Sequence, residues 1–238
     1  MKIMIYFLLS ILFLTPLIAN ASNFALVNDK DGYVNVRSSP SITSNIEMTL
    51  KNDEIVLCAS TDDSPNFCLV NFKNDNVGFI YKSRLNFFKN YKKVSLVSYT
   101  PKKVIYKSGN ISIEIIAKIV NKNIKYKAKN NVIFLNDKEV YGVDGNIPND
   151  EFLVLEKISI NDSGNITTIS EENLKNFVFP YEGLSGKNEM ADFNIYISDK
   201  KIYILNVFNN GGAGEYSLVF YIENGILKKK IAWHNTLI

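Results

Sequence analysis

Apolar and polar residues alternate in short runs along most of this chain of 238 residues. That period of two is the pattern of strands with one face on a core and the other toward water. Residues 33–37 read Tyr-Val-Asn-Val-Arg and are closed by Ser38, Ser39, Pro40 and Ser41. Ile46, Met48 and Leu50 then alternate toward a turn at Lys51, Asn52 and Asp53. Residues 54–59 and 67–72 are β-rich on either side of a segment dense in turn formers, and residues 74–76 lead into a further strand over 77–81. Five short strands in about 60 residues, with almost no helical period, predict a small barrel.

A second β region starts near Lys93, after a junction over residues 86–93 whose aromatics predict packing and not a free linker. Strands are expected at 104–106, 111–120, 124–126 and 132–135, with Asn136 and Asp137 turning the chain toward Val140 and Tyr141. A longer run, 152–160, precedes the turn Asn161-Asp162-Ser163-Gly164. One short helix is expected over 170–177: Ser170 suits the N-cap, Glu171 and Glu172 the first turn, and Pro180 lies beyond the end. Residues 193–197, 201–208, 216–222 and 226–233 form a meander, with Asn224-Gly225 as a tight hairpin signal. The fold class is mostly β, an N-terminal barrel over 22–88 and an antiparallel β-rich domain over 93–238 with at most one or two short helices.

The first residues belong to neither. Lys2 precedes an apolar stretch over 4–18, which ends in Ala19-Asn20-Ala21. A charged start, an apolar centre and an A-x-A site describe a cleaved signal peptide, shorter than the ~20 residues that span a bilayer. Ser22 stands where a lipoprotein needs Cys. The expected product is therefore periplasmic or secreted, with no stable membrane anchor.

Charge adds little. The net charge of +3 becomes +2 when Lys2 is removed, too balanced for a nucleic-acid binder. The lysine-rich pieces 122–129 and 228–230 interleave with apolar residues as solvated strand faces do, a polyanion-binding patch being the alternative. Cys58 and Cys68 are the only cysteines and flank the turn-rich segment. In an oxidising compartment they are expected to pair, two free buried thiols being the alternative.

The segment Asp31-Gly32-Tyr33-Val34-Asn35-Val36-Arg37-Ser38-Ser39-Pro40 resembles the opening motif of bacterial SH3-like (SH3b) domains. Ile46 and Leu50, the strand Asn66-Phe67-Cys68-Leu69-Val70 and the closing Val77-Gly78-Phe79-Ile80-Tyr81 follow in that family's order. The resemblance covers residues 25–86. It departs at Asn52, where a glycine is common, and at Phe67-Cys68, where an aromatic pair is common. It implies an SH3-like barrel and a ligand that is peptidoglycan or another exported protein. Tyr33, Phe67, Phe79 and Tyr81 are the candidates for a binding groove, with barrel core as the other use of these side chains. The C-terminal part resembles uncharacterised exported bacterial β-rich proteins.

His234 is the only histidine, four residues from the end, which leaves no zinc set and no Ser-His-Asp arrangement. No cofactor is expected. Two loops stand out. Residues 142–151, with Asp144 and Asn146, concentrate Gly, Asn, Asp and Pro; a structural turn, a partner contact or a Ca²⁺ site fits that composition. Residues 209–214 are glycine-rich, start with Asn209 and Asn210 and lead to Glu215, as a mobile hairpin loop or a phosphate cradle would. Asp144, Asn146, Asn210 and Glu215 complete the candidate binding set. The expected function is that of a non-catalytic exported binding protein, such as an immunity or inhibitor protein covering a toxin or cell-wall enzyme. The alternative is a peptidoglycan-binding cell-wall enzyme or accessory factor.

Overall fold

The computed structural model describes residues 23–60, 64–120, 126–130, 132–143, 145, 152–180, 189–209, 212 and 214–235. The expected export segment lies outside the described residues, as do residues 124 and 125 of one expected strand.

Seven strands come first: β1 (Asn23–Val27), β2 (Tyr33–Arg37), β3 (Ile46–Lys51), β4 (Ile55–Ser60), β5 (Phe67–Phe72), β6 (Asn76–Tyr81) and β7 (Leu85–Asn86). They form one antiparallel sheet of order β3-β2-β6-β5-β4-β1-β7. Inward residues of all seven, among them Val27, Val36, Leu50, Val70, Ile80 and Leu85, meet in one buried cluster. The sheet therefore curls until both of its edges face one interior. The curl does not close. Among the described residues no ladder joins β3 to β7, and β2 meets β6 at the single pair Arg37 and Phe79. The expected barrel is thus an open, curled sheet. Gly78 permits the contact between β2 and β6, since a Cβ there would stand 2.4 Å from Val36 Cγ1.

The remaining strands are β8 (Lys92–Lys93), β9 (Ser95–Thr100), β10 (Lys103–Ser108), β11 (Ile111–Val120), β12 (Lys127–Lys129), β13 (Val132–Leu135), β14 (Lys138–Glu139), β15 (Phe152–Asp162), β16 (Asn165–Ile169), β17 (Val178–Pro180), β18 (Asn194–Ser198), β19 (Lys201–Phe208), β20 (Tyr216–Glu223) and β21 (Ile226–His234). One sheet runs β16-β15-β11-β10-β9, with β17 also on β15; a second runs β21-β20-β19-β18-β8; β12, β13 and β14 form a small third sheet. The first two pack face to face over a core that includes Tyr106, Ile115, Leu155, Ile204 and Phe220.

The long strand β15 serves two cores because its register slips. Leu153 and Leu155 face the large core, and so do Ile158 and Ile160. Strict alternation would put the second pair on the opposite face. Its ladder with β11 goes from Ile116 opposite Lys157 to Ala117 opposite Leu155, so Glu156 is the extra residue of a bulge. Phe152 and Val154 point the other way, onto Ile133, Leu135 and Val178.

The meander β18 to β21 is covered on both faces. Its second face, with Tyr203, Leu205, Val219 and Trp233, packs on Phe24, Leu26, Ile55 and Leu57 of the curled sheet. This explains the near-continuous apolar text of β19 and β20, whose residues are buried on both sides. The aromatics of the junction pack as expected: Phe88 is buried, takes a left-handed φ of 57° and stacks on Tyr196 at 4.4 Å.

The expected helix over 170–177 is a single 3-10 turn at Glu171–Asn173, and Ser170 makes no side-chain cap. Leu174, Asn176, Phe177 and Val178 are all buried, and Val178 pairs with Val154 of β15. Sheet pairing so close downstream stops the helix. A second 3-10 turn spans Glu189–Asp192. Among the described residues no helix is long and apolar enough to cross a membrane.

Candidate functional site

A cleft of about 270 Å³ lies on the curled sheet and gathers Tyr33, Phe67 and Tyr81 with Asp29, Arg37 and Arg84. β5 and β6 place two of the aromatics opposite each other: Phe67 pairs with Tyr81 in the ladder, and the rings meet edge to face at 5.1 Å. Phe67 is 7% exposed and forms a wall, whereas Tyr33 and Tyr81 remain 48% and 39% exposed at the lip. Ile42, from the loop after β2, adds an exposed apolar side chain.

The polar part is preorganised. Asp29 is buried and its Oδ2 lies 2.5 Å from Arg84 Nη1, while its Oδ1 accepts from the Asp31 N–H at 2.8 Å. Asn52 holds the backbone of Asp29 in two directions: Asn52 Nδ2 donates to the Asp29 carbonyl at 2.8 Å, and the Asp29 N–H donates to Asn52 Oδ1 at 2.9 Å. A glycine at position 52 would lack both bonds, and the left-handed turn position falls instead on Asp53, φ 64°. Arg37 donates to the Ser44 carbonyl at 2.7 Å, pinning the loop that carries Ile42. The cleft thus offers aromatic faces between a neutralised Asp-Arg pair and a tethered guanidinium. Such a combination suits a ligand with both apolar and polar parts.

Phe79 is not part of this cleft. It stands opposite Arg37 and Leu69 on the outer side of β6. Glu215 lies elsewhere, and Asp144, Asn146 and Asn210 lie outside the described residues. The sequence reading missed Asp29, Ile42 and Arg84, because only the curl of the sheet brings these separate turns together.

The two glycine-rich loops do meet. Asn209, φ 56°, donates through Nδ2 to the Gly142 carbonyl at 3.0 Å and to the Gly214 carbonyl at 3.1 Å. Gly142 has φ +90°, and a Cβ there would lie 1.9 Å from the Val178 carbonyl oxygen. Beneath this clasp Glu189, 8% exposed, accepts the Asn209 N–H at 3.0 Å. Burial raises its pKa to about 7; the Asn209 N–H opposes the shift, and Asp192 and Glu215 add to it. Glu215 is also buried and accepts from Asn235 Nδ2 at 2.6 Å. The adjoining Tyr216 hydroxyl is buried with no hydrogen-bond partner among the described residues, and burial pushes its ionisation far up.

Cys58 and Cys68 form a disulfide between β4 and β5, with Cα atoms 5.5 Å apart. His234 is held structurally: its ring stacks on Tyr141 at 4.9 Å, Nε2 lies 3.1 Å from Glu139 Oε1, and its N–H donates to Asp75 Oδ1. Among the described residues no group of three or more His, Cys, Asp or Glu side chains could hold a metal ion. No family model, no curated protein and no solved structure matches this chain.

Proposed function

We propose that this is an exported, non-catalytic binding protein that recognises an exported protein partner through the cleft on its curled sheet. The observation that carries the reading is the pair Tyr33 and Tyr81, exposed beside buried Phe67 and flanked by Asp29, Arg37 and Arg84. Aromatic and arginine side chains dominate the energetics of protein recognition, because they bury large area and still make directed polar contacts. Export rests on the signal-like residues 1–21 and is compatible with the disulfide. The concrete form is an immunity or inhibitor protein that covers a toxin or a cell-wall enzyme.

The second reading, peptidoglycan binding in a cell-wall enzyme or accessory factor, is favoured by the likeness of residues 25–86 to bacterial SH3-like domains. Two measurements separate them. Cross-linked capture of the oxidised protein from its own periplasm or culture fluid is expected to recover one stoichiometric protein, lost in the Tyr33→Ala, Tyr81→Ala double variant. Retention by purified sacculi, lost in that variant, with no protein captured, would replace the first reading by the second.

A further inference from the structure

Three tyrosines stand directly opposite one another across the meander: Tyr196 of β18 opposite Tyr203 of β19, and Tyr203 opposite Tyr221 of β20. Opposite residues in a ladder share a face of the sheet, and this is the face that packs on the curled sheet. The Tyr203 and Tyr221 rings stack at 4.8 Å, 19° from parallel. Phe88 lies on Tyr196, and Tyr91 meets Tyr203 edge to face at 5.7 Å. Tyr203 is buried, whereas Tyr221 is half-buried at the margin of the layer, opposite Lys229 of the next strand.

The hydroxyls form a row of their own. That of Tyr203 shares hydrogen bonds with those of Tyr91 and Tyr221. The Tyr221 O–H donates to the carboxylate of Glu223, which follows two residues on along the same face of β20. Burial and then this bond push the Tyr221 ionisation up to about 12, so near neutral pH the phenol keeps its proton. It gives that proton up together with an electron, because an acceptor is already bonded to it. Packing accounts for the rings, and phenylalanine would serve it equally at Tyr221. The hydroxyl on Glu223 adds a property that packing does not use. Trp233 in the same layer is the contrast: it is buried with Nε1 unpartnered among the described residues, and has no group to take its proton.

We propose that Tyr221 and Tyr203 form an oxidation site, at which one-electron oxidants join β19 to β20 through a dityrosine bond. Each phenol gives one electron to the oxidant and loses its hydroxyl proton, Tyr221 to Glu223 and Tyr203 to water by way of half-buried Tyr91. The two phenoxyl radicals couple through the ring carbons beside their oxygens. The hydrogen on each of those carbons then moves to the oxygen and restores the phenol. Two electrons and two protons leave, and one carbon–carbon bond forms. Stacking holds the partners together beforehand, so the first radical meets its neighbour in preference to another molecule. The site is separate from the Tyr33–Tyr81 cleft and needs no partner protein.

The test is oxidation of the disulfide-bonded mature protein with two equivalents of hexachloroiridate, a one-electron oxidant, followed by dityrosine fluorescence, mass measurement and peptide mapping. Expected are a monomer lighter by two hydrogen atoms and a cross-linked peptide pair that carries Tyr203 and Tyr221. Exposure alone would send the reaction to Tyr99, Tyr33 and Tyr81, which are 63%, 48% and 39% exposed. Tyr221→Phe and Tyr203→Phe are each expected to abolish the cross-link with the fold intact by circular dichroism. Glu223→Gln is expected to slow it on the order of tenfold or more, and Glu223→Asp, which keeps a carboxylate, to restore part of the rate. Four results would each overturn the proposal: cross-links between molecules, products mainly at Tyr99, Tyr33 or Tyr81, an undiminished rate in Glu223→Gln, or a cross-link that persists in Tyr221→Phe.

Discussion

Glu189 gives the sharpest quantitative expectation, because its carboxyl is buried under the Asn209 clasp and its surroundings favour the protonated form. Its pKa rises from an ordinary 4.5 to about 7 in the folded protein, a difference of about 3 kcal/mol between the two protonation states. The folded state holds this proton more tightly than the unfolded chain. The stabilisation is therefore fully present below about pH 4.5, decreases as pH rises, and is gone above about pH 7. Glu189→Gln keeps an oxygen to accept the Asn209 N–H and removes the ionisation. Urea unfolding of both proteins between pH 4 and 8.5 reads Glu189, with its coupling to Asp192 and Glu215, in their difference, since titrations of uncoupled groups cancel. The variant is expected to gain about 3 kcal/mol relative to the native protein across that range, with unchanged urea dependence. A difference that stays flat with pH would refute the buried, proton-holding Glu189.

Three further outcomes follow from packing and covalent structure. Replacing both Cys58 and Cys68 with Ala removes a cross-link that closes a loop of about ten residues, and is expected to cost about 3 kcal/mol in denaturant unfolding, no more than the reduced native protein loses. Gly142→Ala places a Cβ against the Val178 carbonyl at a left-handed φ; the expected loss exceeds about 3 kcal/mol and shows as a lowered melting temperature, whereas Gly164→Ala, with open space around it, costs about 1 kcal/mol. Trp233→Ala empties the layer between the meander and the curled sheet, where Trp233 meets Phe24 at 6.2 Å. It is expected to cost about 3 to 5 kcal/mol and to split one unfolding transition into two when disulfide-side and C-terminal probes are compared.

The sequence by itself determined the local elements. Alternation in residues 34–37 and 111–115 corresponds to strands with Val34, Val36, Ile113 and Ile115 inward, and Asn224-Gly225 marks a turn whose two residues both take left-handed φ. The cysteine hairpin was legible for the same reason: a turn between two β runs is a local property, and the pairing follows from it. Tyr33, Phe67 and Tyr81, named as groove candidates on the likeness to SH3-like domains, line one cleft, and Phe79 does not.

Only the tertiary structure decided what depends on distant partners. Strand β9 lacks a clean alternation since neither of its faces is buried, and the period of two arises from burial. The helix expected at 170–177 ended after one turn because pairing of Val178 with β15 outweighs a weak local preference. The bulge at Glu156, the curl that brings Arg84 to Asp29, and the bonds from Asn209 to Gly142 and Gly214 each join segments far apart in the chain. Periodicity reports which side of a strand is apolar. Which other segment covers that side is set by the packing of the whole chain.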